Sequence, residues 1–175
     1  TVTLTLTGTA NTPCTDDVTS SMAIVIEANP IVNAGSDLAT CEDVAVTLGV
    51  SQGTTATASL YNEITWTHNG SGSLTDETSL TPTYTPVSGD KGNTVTLTLT
   101  GTANTPCTNS ATSSMSIDII ATPTVDAGSG AVTCSEVDVR IIDASASDFD
   151  ALTWTHNGSG SLTNATTLTP TYTPA

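Results

Sequence analysis

The chain has 175 residues, 17 of them acidic and only 2 basic, for a net charge of −15. With Lys91 and Arg140 as its only cations it cannot neutralise a phosphate backbone, which excludes ordinary nucleic-acid binding and argues against docking on anionic lipid. No run approaches the ~18 apolar residues of a spanning helix, so direct membrane insertion is not expected.

Taken in chain order, the sequence reads as short strands set apart by turns. Ile31–Ala34 leads into Asp37–Thr40, and Val44–Val50, Ile64–His68, a short piece near Ser73, Thr81–Thr85, Thr94–Thr102 and Ser113–Ile120 follow. Strict alternation carries most of these assignments. In Thr94-Val-Thr-Leu-Thr-Leu-Thr100, Val95, Leu97 and Leu99 face one way and threonine the other, the period of a half-buried strand. Threonine on the outer face is β-branched yet polar, so it favours extended backbone without adding a sticky surface. Asn69-Gly70-Ser71-Gly72 looks like a hairpin connection. Pro82 and Pro86 bracket an edge-like piece around Tyr84, and Asn104-Thr105-Pro106 ends a strand before Cys107. No segment shows an apolar stripe of helical period. The prediction is an all-β chain.

The chain also repeats itself. Thr1–Thr15 returns letter for letter at Thr94–Thr108, an offset of 93, and Thr65–Thr75 returns at Thr153–Thr163, an offset of 88. Repetition at this period signals a tandem array of small units. Its phase predicts the back half of one repeat in residues 1–28, a whole repeat in 29–121, and the front half of another in 122–175. Pro30 and Pro123 mark the junctions. The expectation is one period cut from a longer polypeptide; the rival is a subunit whose half-repeats are completed by neighbouring chains.

About seven short strands with regular turns and one central tryptophan suggest an immunoglobulin-like sandwich. The order Pro30-x-Val32-Asn-Ala34-Gly35-x-Asp37, Cys41, Val46-Thr-Leu48, Trp66-Thr, Pro82-Thr-Tyr84-Thr-Pro86, Asp90, Thr94–Thr100 and Cys107 resembles the PKD-like repeats of giant bacterial surface adhesins. It is closest to the SprB kind of gliding-motility and surface adhesin of Bacteroidetes-type bacteria, exported by the type IX system. The resemblance covers every part of the repeat and implies tandem seven-stranded β-sandwiches at the bacterial cell surface. It departs at Trp66-Thr-His-Asn-Gly-Ser-Gly72, where PKD domains carry a glycine- and aspartate-rich turn. The roles of those aspartates are therefore not carried over.

Trp66, Trp154, Tyr84 and Tyr172 are expected in the cores. His68 and His156 occupy the same turn in successive copies, among Thr, Asn and Gly that assemble no catalytic constellation. No catalytic residue, metal ligand or cofactor is assigned, and the protein is not expected to be an enzyme. Calcium is the one cation the acidic pairs Asp16-Asp17, Glu42-Asp43, Asp76-Glu77 and Asp148/Asp150 invite. These pairs change between copies, so a repeat-wide site is not expected. Lys91 reads as an exposed loop lysine.

The disulfide candidates are Cys14, Cys41, Cys107 and Cys134, at repeat-equivalent places. An even number in a secreted-looking chain favours disulfides over buried thiols. In an immunoglobulin-like topology Cys41 and Cys107 lie at opposite ends of the sandwich, and a disulfide spans Cα atoms only up to about 7 Å. That favours staples across each junction, Cys41 with the next period's equivalent of Cys14 and Cys107 with the preceding period's equivalent of Cys134, over a bond within one repeat.

These readings lead to three functional expectations. The first is a non-enzymatic stalk repeat of an extracellular adhesin or surface filament, whose partners are neighbouring repeats end to end and which projects a tip of unassigned ligand. The second is a self-assembling fibre completed by strand donation between chains. The third is a carbohydrate-binding module, which would need exposed aromatic rings. Mass spectrometry of the intact native protein separates the first two: a very large polypeptide supports the stalk, a discrete species of single-chain mass the fibre.

Overall fold

The computed structural model describes residues 1–49 and 53–175, and it is all-β, with no α-helix among those residues. The expected strand Val44–Val50 narrows to Val46–Thr47, and its last residue lies outside the described residues.

Residues 1–28 form one hairpin, β1 (Val2–Gly8) on β2 (Val18–Ile24), with Leu4 opposite Met22 and Leu6 opposite Ser20. Every residue of both strands is exposed, Leu6 at 76% and Met22 at 60%.

A central unit follows, made of β3 (Ile31–Asn33), β4 (Leu38–Cys41), β5 (Val46–Thr47), β6 (Thr57–Ser59), β7 (Tyr61–His68), β8 (Ser73–Thr75), β9 (Thr83–Thr85), β10 (Thr94–Ala103) and β11 (Ala111–Ile120). β4, β11, β10 and β7 make a four-stranded sheet in that order, antiparallel except for the parallel β4–β11 pair. β5, β9 and β8 make a second sheet and β3 with β6 a third. The alternation in β10 is realised residue by residue. Val95, Leu97 and Leu99 are buried and the intervening threonines are not. They join Met115, Ile117 and Ile119 of β11, Leu38 of β4 and Trp66 of β7 in one cluster with Val46, Leu48 and Tyr84 from the β5–β9–β8 side. An apolar layer between two sheets is the arrangement of a β-sandwich.

Two local expectations are corrected. Asn69–Gly72 does not close a hairpin: β7 pairs with β10 and β8 with β9, so this turn carries the chain from one sheet to the other. β9 is a central strand, with β5 on one side and β8 on the other. Pro82 and Pro86 lie just outside the paired residues Thr83–Thr85, so neither removes a ladder amide. β6, at Thr57–Ser59, was not foreseen; three small residues beside a loop carry no legible period.

Residues 122–175 rebuild part of this unit. β12 (Thr124–Asp126) pairs with β14 (Ser145–Ser147), and β13 (Val139–Arg140) and β15 (Ser161–Thr163) flank β16 (Thr171–Thr173). These match β3–β6 and β5–β9–β8. What is missing is the four-stranded sheet. Residues 131–134 and 149–156, the counterparts of β4 and β7, are not paired as strands. In the central unit their partners are β11 and β10.

Identical letters in different surroundings make a direct test. Leu97→Ala should destabilise the central unit by about 2–5 kcal/mol, because it empties a fully buried site. Leu4→Ala, its repeat counterpart on the exposed hairpin, should leave that midpoint unchanged. Chemical denaturation followed by Trp66 fluorescence in a Trp154→Phe background reads both.

Candidate functional site

The most highly organised polar site is under the turn that joins the two sheets. Tyr84 is fully buried, and its hydroxyl donates to Asp90 Oδ2 at 2.7 Å while accepting from Gly72 N–H at 3.0 Å. Asp90, in a 3-10 turn over Ser88–Asp90, also accepts from Ser71 N–H at 2.6 Å and Val87 N–H at 3.2 Å. The glycines of the turn are required by space. A Cβ on Gly70 or Gly72 would stand 2.1 or 2.8 Å from the Tyr84 hydroxyl oxygen. His68 covers the phenol edge-on, ring centroids 5.2 Å apart, and its Nδ1 is buried without a hydrogen bond. With no acid orienting the imidazole, this is not the geometry of a general base.

Burial raises the Tyr84 phenol to about 12, and the Asp90 carboxylate adds to the shift. Burial alone would push Asp90 up as well. The donors Ser71 N–H, Tyr84 OH and Val87 N–H outweigh it and hold the carboxyl below its usual value. The site is therefore a phenol–carboxylate lock between turn and strand, matched to structure more than to chemistry. Its counterpart in 122–175 is partial: Gly160 N–H donates to the Tyr172 hydroxyl at 3.3 Å, and His156 packs on that ring.

Of the expected core aromatics, Trp66 and Tyr84 are buried, at 2% and 0% exposure. They present no open ring platform for a sugar. Trp154 and Tyr172 are only half-buried, which corrects their expected place. Among the described residues no counterpart of β10 and β11 covers their side. Trp154 still keeps its local anchors, donating from Nε1 to Thr167 O at 2.9 Å as Trp66 does to Ser79 O.

The cysteines are free thiols, so no disulfide closes within this structure. Cys41 is in register with Ile120 at the finish of β11, whereas Cys107 precedes its start. Ten residues of strand separate the two by about 30 Å, which rules out a bond between them. Cys107 Sγ instead lies 3.6 Å from Glu27 O, at the preceding junction. Cys14 and Cys134 are exposed.

The following junction holds a feature that sequence reasoning missed. Lys91 Nζ stands 3.7 Å from Glu42 Oε2 and 3.4 Å from Asp148 Oδ2, so it links the central unit to residues 122–175. Glu42 also accepts from Thr122 Oγ1 at 2.5 Å and donates its N–H to Ile120 O at 3.0 Å. A lone lysine in an acidic chain was the available signal, but nothing in the sequence located its partners. The other acidic residues do not converge: among the described residues no three His, Cys, Asp or Glu side chains form a metal-binding group. Asp17 caps Ala10 N–H, and Ser129 holds the exposed Asp143 carboxyl below its usual range.

No protein family, curated protein or solved structure matches the chain.

The lock has a pH signature. Asp90 titrates below its ordinary 3.8 when folded, so its contribution is whole above that value and is lost as pH falls through the lower folded one. Tyr84 moves from 10.0 to about 12, so its contribution is whole below pH 10 and is lost as pH rises toward 12. Asp90→Asn should cost about 1.5–3 kcal/mol at neutral pH and flatten the acid limb of a stability–pH curve, while Tyr84→Phe should remove the alkaline loss. Urea midpoints across the pH range check both.

Proposed function

We propose that the chain is a structural repeat segment of an extracellular adhesin or surface filament, built of PKD-like, immunoglobulin-like sandwiches, one whole in residues 29–121 and two partial. It performs no reaction on this reading. It transmits length and force between a cell surface and a distal tip, and the resemblance to gliding and surface adhesins gives the setting.

One observation carries the reading. The chain enters and leaves the central unit at opposite poles. At the entering pole Glu27 O meets Cys107 Sγ. At the leaving pole Thr122 and Asp148 meet Glu42 and Lys91. β11 runs between them for about 30 Å. Units entered at one end and left at the other string into a line, and junctions of a few residues limit bending. Hydroxyl-rich outer strand faces and a scarcity of Lys and Arg suit an exposed stalk, since trypsin-type proteases find only Lys91 and Arg140.

Junction staples follow from the same polarity. Cys41 belongs to the leaving pole, where the next unit's counterpart of Cys107 would arrive. Under an oxidant such as oxidised glutathione, two thiols give up two protons and two electrons to form one cross-junction disulfide.

Small-angle scattering of one, two and three repeats in tandem tests the mechanical part. Maximum dimension should rise linearly by about 30–40 Å per unit, and compact particles would refute a stalk. Antibodies against the central unit should label intact source cells; labelling only after lysis would refute the location.

A further inference from the structure

We infer that the junction after the central unit is a salt-released hinge, held shut by a closed polar circuit in which Lys91 is the cation. The joining residues are Ala121-Thr122-Pro123-Thr124, and both hydroxyls of that stretch belong to the circuit. On one side Thr122 Oγ1 donates to Glu42 Oε1. On the other, Thr124 Oγ1 and Ser147 Oγ lie 2.8 Å apart, and Ser147 Oγ donates to Asp148 Oδ2 at 2.9 Å. A hydroxyl has one proton to give, so Thr124 is the donor to Ser147. Lys91 closes the ring, because its Nζ reaches Glu42 and Asp148 together. Within this circuit only the Lys91–Asp148 contact spans the joint directly.

The lysine is presented from a fixed base. It follows Asp90 of the lock, and Asn93 Nδ2 donates to its carbonyl at 3.2 Å. Gly92 N–H donates to Ile119 O and Asn93 O accepts from Ile119 N–H, which ties the loop to β11. Glu42 Oε2 is buried and takes no hydrogen bond, so the ammonium is what compensates it. Without the lysine, two carboxylates would face each other across the joint of a chain that carries −15. Like charges would then repel where they had been bridged. Lys91 therefore sets the sign of the junction's electrostatics.

Screening supplies the release. At physiological ionic strength the Debye length is about 8 Å, longer than the contacts of 3.4 and 3.7 Å. At about 1 M salt it falls to about 3 Å, shorter than both. The circuit is also particular to this junction. At the preceding one the counterparts of Thr124 and Asp148 are Ile31 and Leu60. Leu60 holds the same left-handed corner as Asp148, φ 58° against 57°. The corner belongs to the fold, and the carboxylate on it is an addition. The hinge goes beyond the stalk reading and holds whether or not the units form a stalk.

Single-molecule energy transfer on the 175-residue chain reads the hinge. The four cysteines are changed to serine, and dyes are placed on Thr67→Cys and Ser161→Cys, exposed strand positions on either side of the joint. Raising salt from about 0.01 M to about 1 M should raise the open-to-closed ratio by about fivefold, the upper range for exposed ion pairs. Asp148→Leu, which copies the preceding junction, should open the joint at low salt and remove the salt response. Lys91→Met should open it further and reverse that response, since salt then relieves a repulsion. Exchanging the charges, Lys91→Asp with Asp148→Lys, should restore closure and the original response. Trp66 fluorescence verifies that the central unit stays folded in each variant. A ratio unmoved by salt, or a Lys91→Met chain whose salt response keeps the wild-type sign, overturns the inference. Neither result touches the stalk reading, which is judged by tandem repeats and cell labelling.

Discussion

Everything in this fold depends on where the long hairpin finds its partners. A strand pair presents two unpaired backbone edges and one apolar face, and each demands satisfaction. In the central unit β7 pairs with one edge, β4 with the other, and the β5–β9–β8 sheet covers the face. The hairpin at residues 2–24 has the same pattern of letters and none of these partners. Residues 122–175 show the reverse. Their small sheets form, but the segments that should flank a hairpin remain unpaired. The two ends of the chain are thus complementary pieces of one construction, and the middle shows the pieces joined.

The Tyr84–Asp90 lock has a different task. Two sheets pressed together by apolar contact can slide, because dispersion and the hydrophobic effect are not directional. A buried hydroxyl bridging a carboxylate and a turn amide is directional. The lock ties β9, the inter-sheet turn and the loop before β10 to one another. Its glycines are part of it, since side chains at Gly70 or Gly72 would occupy the space of the phenol. The junctions rely on weaker exposed links, such as Lys91 between Glu42 and Asp148, of a kind worth about 0–1 kcal/mol. Units should therefore be rigid inside and more compliant where they meet.

Several elements were legible because their physics is local. The burial of Val95, Leu97 and Leu99 follows from alternation alone, since the pleat sends successive side chains to opposite faces. The ends of β9 follow from Pro82 and Pro86. Other elements depended on distant residues. That Asn69–Gly72 bridges two sheets depends on β7 choosing β10 as its neighbour. That Trp154 is half-exposed while Trp66 is buried cannot be read from eleven identical letters around them. Asp90 looked like one acidic loop residue among many until the fold brought three donors to it.

The sequence by itself determined the all-β character, the repeat and its phase, because periodicity and identity are properties of the letters. It also determined which face of each long strand is apolar. Tertiary structure decided which copies of those strands are buried, which cysteines lie at which pole, and which single carboxylate is locked. The reason is that burial and pairing belong to a strand's neighbours. Two segments with the same fifteen residues differ only in whether a partner sheet is within reach.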